Sequence, residues 1–311
     1  MLAQLITPAR RTTARRITVL VGTVALVSAL LPVATASAST TRQRKHVISQ
    51  NSRRVAPPLT GVLKRRSDAK TALAEAYLAG VQANWQAAAA GRPAPYAAAT
   101  TPPRTRVLGI GNYRIQRTEN WCGPTSLTVI ADHINVMNKA ASPGQQWRRT
   151  DDDLTQEQHA ANLVLDRVNQ GTDWIGRDSV PLGGPWVSSY PMQDALNYLL
   201  RNTRHKLFYE VKSLPSNPSL RQKRAFRAAL VYDMNVARGY PMAANEYATP
   251  DHFLPGQSSR SGMIMHWVVP TGYTQGGART VYEDPGWGSG APQNVQTGFL
   301  VTAIGGRGYV F

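Results

Sequence analysis

Helical patterns occupy the first two thirds of this 311-residue chain and β-rich runs cluster in the last third, an order that predicts an α+β fold rather than a doubly wound sheet. No segment repeats, so a solenoid or propeller is not expected. Hydrophobic residues make up 42% of the chain and charged residues 17%, enough apolar material for a substantial core.

The elements follow in order. Arg10, Arg11, Arg15 and Arg16 precede an apolar run, Ile17–Leu31, then Pro32 and the small residues Ala36–Ala38. Residues 1–38 thus read as a cleaved secretory signal, because the apolar run falls short of the roughly 20 residues a membrane span needs. The expected localisation is extracellular, with no transmembrane span once the signal is removed. The net charge of +17 is uneven: residues 39–70 hold nine Lys or Arg and one acid, leaving only +5 over residues 71–311. With few aromatics to stack on bases, this stretch reads as a solvated arm suited to an anionic cell envelope, with no specific nucleic-acid partner expected.

Thr71–Ala90 is Ala-rich and carries Leu73, Tyr77, Val81 and Trp85 at a spacing of four, which predicts a helix with that apolar stripe. Gly91–Arg106 contains four prolines and reads as a linker. The expected organisation is therefore 1–38 signal, 39–105 arm, linker or propeptide, and 106–311 main domain. Within the last, helices are expected at Thr125–Met137, at Asp153–Asn169 with Thr155 and Gln158 as a capping box, at Tyr190–Asn202, and at Pro218–Gly239 with Gly239 as C-cap. Strands are expected at Tyr240–Asn245, Met265–Tyr273, Thr280–Pro285 and Gly298–Ile304.

Several chemistries have no signature here. No serine sits in a G-x-S-x-G elbow, and no H-E-x-x-H or cysteine pair offers a zinc site. Asp151–Asp153 reads as the acidic start of a helix rather than a calcium loop. No metal or organic cofactor is expected.

Cys122 is the only cysteine, so the chain forms no internal disulfide. It stands in "NWCGPTSL", at the mouth of a helical pattern, a position that favours the thiolate form of a nucleophile. Gln116, six residues upstream, is placed to donate its amide to a developing oxyanion together with the Cys122 N–H. Among six histidines, His266 alone opens an apolar strand, 144 residues after the cysteine. That interval fits the about 130–150 residues typical of papain-like enzymes. Asp284 follows eighteen residues later on the next expected strand, beside the imidazole it would orient. Glu283 is expected on the opposite face of that strand.

Taken together, "Q(x5)CGPTSL", "HWVVPTGY" and "VYEDP", with "GYPMAAN" ahead of the His strand, resemble the bacteriocin-processing, double-glycine-leader family of papain-like cysteine peptidases, and most closely its stand-alone secreted relatives. The resemblance spans about residues 110–300. It implies a papain-like fold, an N-terminal helical part with the catalytic cysteine at a helix start and a C-terminal antiparallel sheet carrying His and Asp. Gln116, Cys122, His266 and Asp284 match the family's functional positions. The implied activity is a secreted cysteine peptidase acting on a peptide or protein. Two alternatives stand beside it: an amidase or endopeptidase acting on peptidoglycan peptides, and a catalytically idle wall-binding module.

Overall fold

The computed structural model describes residues 55–96, 101–109, 115–116, 121–137, 174, 190–200, 209–236, 239–259, 262–287 and 291–311. All of them belong to one compact unit, Arg44–Phe311. The expected signal, residues 39–54 of the arm and the expected helix at Asp153–Asn169 lie outside the described residues.

The described residues form five helices, α1 (Gly61–Ala89), α2 (Cys122–Met137), α3 (Pro191–Leu200), α4 (Leu220–Asn235) and α5 (Thr297–Ala303). They also form seven strands: β1 (Arg106–Val107), β2 (Val211–Ser213), β3 (Ala243–Ala248), β4 (Ile264–Thr274), β5 (Arg279–Glu283), β6 (Gln293–Gln296) and β7 (Gly308–Val310). The strands make one sheet in the order β2-β7-β3-β4-β5-β6, with β1 added to β4, and every pairing is antiparallel. The architecture is α+β.

β4 is the spine of the sheet. Ten of its eleven residues are buried, because helices cover both faces. The pleat sends alternate side chains to opposite cores. Val268 joins Phe226, Leu230, Tyr282, Leu300 and Phe311 on the face covered by α1, α4 and α5. Trp267 and Val269 join Leu127, Ile130, Trp174, Met192 and Leu196 on the face covered by α2 and α3. Each such fully buried large side chain contributes about 1.5–3 kcal/mol. The register against β5 shifts between Pro270 and Gly272, and β1 pairs antiparallel with β4 just beyond, at Gly272 and Tyr273. A Cβ on Gly272 would lie 2.6 Å from the Arg106 carbonyl oxygen, so only glycine admits this approach.

Three expectations are corrected. The stripe predicted for α1 is only partly its buried face: Val81 is buried and Tyr77 and Trp85 pack half-buried against the core, but Leu73 is 54% exposed, and the side turned fully inward is Ser67, Thr71, Ala74, Leu78, Val81, Asn84 and Ala87. Small residues allow the helix to seat closely against its neighbours, and polar anchors fix it, so size alone was a poor guide. Arg66 pairs with Glu210 at 2.6 Å, Lys70 with Asp233 at 3.4 Å, and Asp68 with Lys212 at 2.8 Å. Second, Gly298–Ile304 is not a strand; α5 occupies it, with Thr297, Leu300 and Val301 buried at helical spacing. The Thr297 hydroxyl donates to the Gly277 carbonyl and meets Thr280 Oγ1, fixing the helix start. A short apolar run fits either period, and its neighbours decide. Third, α4 ends at Asn235 with an extended Val236 as C-cap, four residues before Gly239. Its start carries a capping box, Ser219 with Gln222.

Pro102, Pro103 and Arg104, at the end of the proline-rich stretch, bond to the same unit. The Trp85 indole donates to the Pro102 carbonyl at 2.7 Å, the Tyr273 hydroxyl to the Pro103 carbonyl at 2.9 Å, and Gly276 N–H to the Arg104 carbonyl at 2.6 Å. Residues on both sides of position 105 therefore share hydrogen bonds with one core.

Candidate active site

α2 begins at Cys122 itself, three residues before the predicted start. Pro124 suits the first turn, and Thr125 N–H closes that turn on the Trp121 carbonyl at 2.8 Å. Residues 122–134 are all buried, with Cys122 at 0% exposure, and Ser126 reaches the Trp267 carbonyl of β4. The sulfur thus sits at the helix end where backbone N–H groups lack helical acceptors and the dipole is positive.

His266 is fully buried near the start of β4. Its Nε2 lies 2.8 Å from Asp284 Oδ1. The same oxygen accepts the backbone N–H groups of Gly286 at 2.8 Å and Trp287 at 2.9 Å, and Oδ2 accepts from Gln257 Nε2 at 3.0 Å. Burial alone would push this carboxyl up; the charge and hydrogen bond of His266, with the N–H donors, hold it below the ordinary carboxylate range. An ionised carboxylate only accepts, so Nε2 carries the proton and Nδ1 is left to receive one. Burial pushes the imidazole down, but Asp284 and then Cys122, which also hydrogen-bonds the ring, carry it well above its usual value. Trp287 closes one side, its ring edge-to-face with the imidazole at 5.0 Å.

Gln116 reaches the same point from a separate segment. Its backbone N–H donates to the Pro285 carbonyl at 2.8 Å, tying it to the Asp-Pro turn. The convergence is visible at Gly286: a Cβ there would lie 2.8 Å from His266 Cε1 and 3.4 Å from Gln116 Oε1. All four residues singled out in the sequence, Gln116, Cys122, His266 and Asp284, are buried, and the contacts above join them in one cluster. Glu283 pairs with Val269 on the sheet face opposite His266, buried, and burial pushes it up to about 7. Of the other described histidines, His133 is buried within α2 and His252 lies against Phe299.

Residues that the sequence did not single out complete the surroundings. Glu246 and Gln257 border Asp284, and Gly286 and Trp287 border the imidazole. In "PGWGSG" the sequence offers an aromatic stretch that suits a groove wall and a packed loop equally, and nothing in the sequence marks Gln257. Among the described residues, no group of three or more His, Cys, Asp or Glu could hold a metal ion, and no helix is long and apolar enough to cross a membrane. Comparison of the chain with protein-family models, with curated proteins and with solved structures yields no match.

Proposed function

We propose that the chain is a secreted cysteine peptidase of papain-like organisation. The observation that carries the reading is His266, buried between the Asp284 carboxylate and the thiol of Cys122 at a helix start, with Gln116 alongside. A thiol at a helix N-terminus on one side of an antiparallel sheet that supplies His and Asp supports the papain-like assignment.

The chemistry follows from the proton positions. His266 Nδ1 takes the Cys122 proton, and the thiolate attacks the carbonyl carbon of an amide. The oxyanion forms beside the Gln116 amide and the Cys122 N–H, and a low-dielectric site strengthens those donors. Collapse expels the amine, which takes its proton from the imidazolium and leaves a thioester on Cys122. Water, deprotonated by His266, hydrolyses the thioester and restores the thiol. Asp284 holds the ring in the required tautomer throughout.

The arm rich in Lys and Arg and the signal-like residues 1–38 support action at an anionic envelope, which keeps cell-wall peptides among the candidate substrates. The test is alkylation of Cys122 by iodoacetamide across pH, beside His266→Ala and Asp284→Asn. An activated pair labels fast well below about pH 8.5, the ordinary thiol pKa, and slows at least about tenfold in His266→Ala. Slow labelling unchanged by either substitution would leave an idle binding module. Peptides and wall fragments then separate peptidase from wall amidase.

A further inference from the structure

His266 is flanked by two carboxyl groups, of which the catalytic reading uses one. Glu246 on β3 is in direct register with His266 on β4, so both side chains leave the same face of the sheet. Glu246 is fully buried. Gln257, in the connection between β3 and β4, spans the two acids. Its Nε2 donates to Glu246 Oε2 at 2.7 Å and to Asp284 Oδ2 at 3.0 Å, while its Oε1 accepts the Leu254 N–H at 2.9 Å. A primary amide has two N–H donors, and each acid takes one. The Leu254 N–H can bond only the oxygen, so the amide has a single orientation.

We propose that Gln257 and Glu246 are positioning residues for the His266–Asp284 pair. Gln257 holds Oδ2 so that Oδ1 stays on the imidazole, and Glu246 clamps Gln257 from the other side. This deepens the hydrolase reading and rests on it for the purpose of the pair.

Glu246 also sets a charge beside the ring. Burial and the negative Asp284 push its carboxyl up to about 8, against the opposing pull of His266 and Gln257. At neutral pH it is a neutral acid, and its second oxygen, Oε1, has no hydrogen-bond partner among the described residues. The titratable groups facing it are His266 from β4, Asp284 from the turn after β5 and Tyr282 from β5, whose phenol is itself pushed up by burial, Glu246 and Asp284. Cys122 is reached only through His266. When Glu246 loses its proton, a second negative charge stands beside the imidazole and keeps it protonated to higher pH.

The experiment follows His266 by NMR of ring-labelled histidine over pH, in the wild type, Glu246→Gln and Gln257→Met. Cys122 alkylation is read on the same samples. Glu246→Gln keeps the acceptor for Gln257 and removes the titration. The His266 midpoint then falls by at least about half a pH unit, and the labelling profile loses its inflection near the Glu246 pKa. Gln257→Met frees Oδ2, moves the acid limb of labelling upward and slows labelling at pH 6 roughly tenfold. Curves superimposable with wild type in both variants overturn the proposal. If His266 shifts while Cys122 is inert in every protein, the positioning role stands and the hydrolase reading falls. If Cys122 is activated and His266 does not shift, the reverse holds. Should Gln257→Met fail to fold, the isosteric Glu246→Gln decides alone.

Discussion

Lys70→Met tests whether α1 is part of the folded unit or a detachable arm. Lys70 Nζ lies 3.4 Å from Asp233 Oδ1, with the two side chains 15% and 4% exposed. The ammonium also sits over the rings of Phe311 at 4.6 Å and Tyr209 at 5.7 Å. Asp233 Oδ2 has no hydrogen-bond partner among the described residues, so Lys70 is its main support. Methionine keeps most of the apolar stem and removes the charge. Leaving a carboxylate buried without its cation costs about 3–5 kcal/mol, a large share of the roughly 5–15 kcal/mol that holds a domain together. Burial already pushes Asp233 up, against the pull of Lys70, so without Lys70 it takes a proton more readily. The variant therefore holds its proton longer when folded than when unfolded, and its deficit grows as pH rises. Urea and thermal unfolding followed by tryptophan fluorescence at pH 5.5 and 8 read both effects, and the Tm should drop by roughly 6–20 °C at the higher pH. Lys70→Met with Asp233→Asn should recover most of the loss, since a neutral pair leaves nothing charged behind. A deficit under about 1 kcal/mol at both pH values would refute the reasoning and reopen α1 as a removable propeptide.

Two further predictions follow. Gly286→Ala would set a methyl 2.8 Å from His266 Cε1, so the ring must shift; Cys122 labelling should slow roughly 10–100-fold, with the unfolding midpoint little changed, and wild-type labelling would show that the ring has room there. Glu283 is buried and pushed up to about 7. Its folded form binds a proton that the unfolded chain releases from about pH 4.5, so stability falls as pH rises through that window, by at most about 3 kcal/mol. Glu283→Gln removes the loss: melting curves should coincide near pH 4.5 and favour the variant at pH 8.5, and equal gaps at both would sink the argument.

The sequence is informative where a single local rule governs. Pro124 and the apolar run after Cys122 mark a helix start, and the consecutive apolar residues Trp267–Val269, with Met265 and Tyr273 flanking them, mark a strand buried on both faces. It is uninformative where a tertiary partner decides. Leu73 matches a stripe yet faces outward, because Ala74, Thr71 and Ser67 let α1 sit close while Arg66 and Lys70 find Glu210 and Asp233, more than 140 residues away. Gly298–Ile304 could pair as a strand by composition, but Thr297 is held by Gly277 and Thr280 and starts a helix instead. Of the candidate site, Cys122 and His266 each announce themselves by their surroundings. Gln257 does not, since its role depends on two acids brought to it from β3 and from the turn after β5.

The cluster around His266 is costly to build, and this bears on what it is for. Desolvation opposes the charged forms of His266, Asp284 and Glu246 alike, and each buried charge must be offset by an opposite charge or a donor. Asp284 receives four donors, from His266, Gly286, Trp287 and Gln257. Glu246 receives one, and stays neutral. A core serving stability alone gains more from apolar residues of the same volume, since replacing buried polar networks by well-packed hydrophobes is often neutral or stabilising. Four donors spent on one carboxylate, a glycine conceded beside the imidazole and a neutral acid set opposite it are together better accounted for by the need to hold one ring nitrogen toward a thiol than by packing. Stability measurements can weigh this directly: Glu246→Gln should raise the unfolding midpoint above pH 8 even as it alters the titration of His266, a trade that a purely structural cluster would not make.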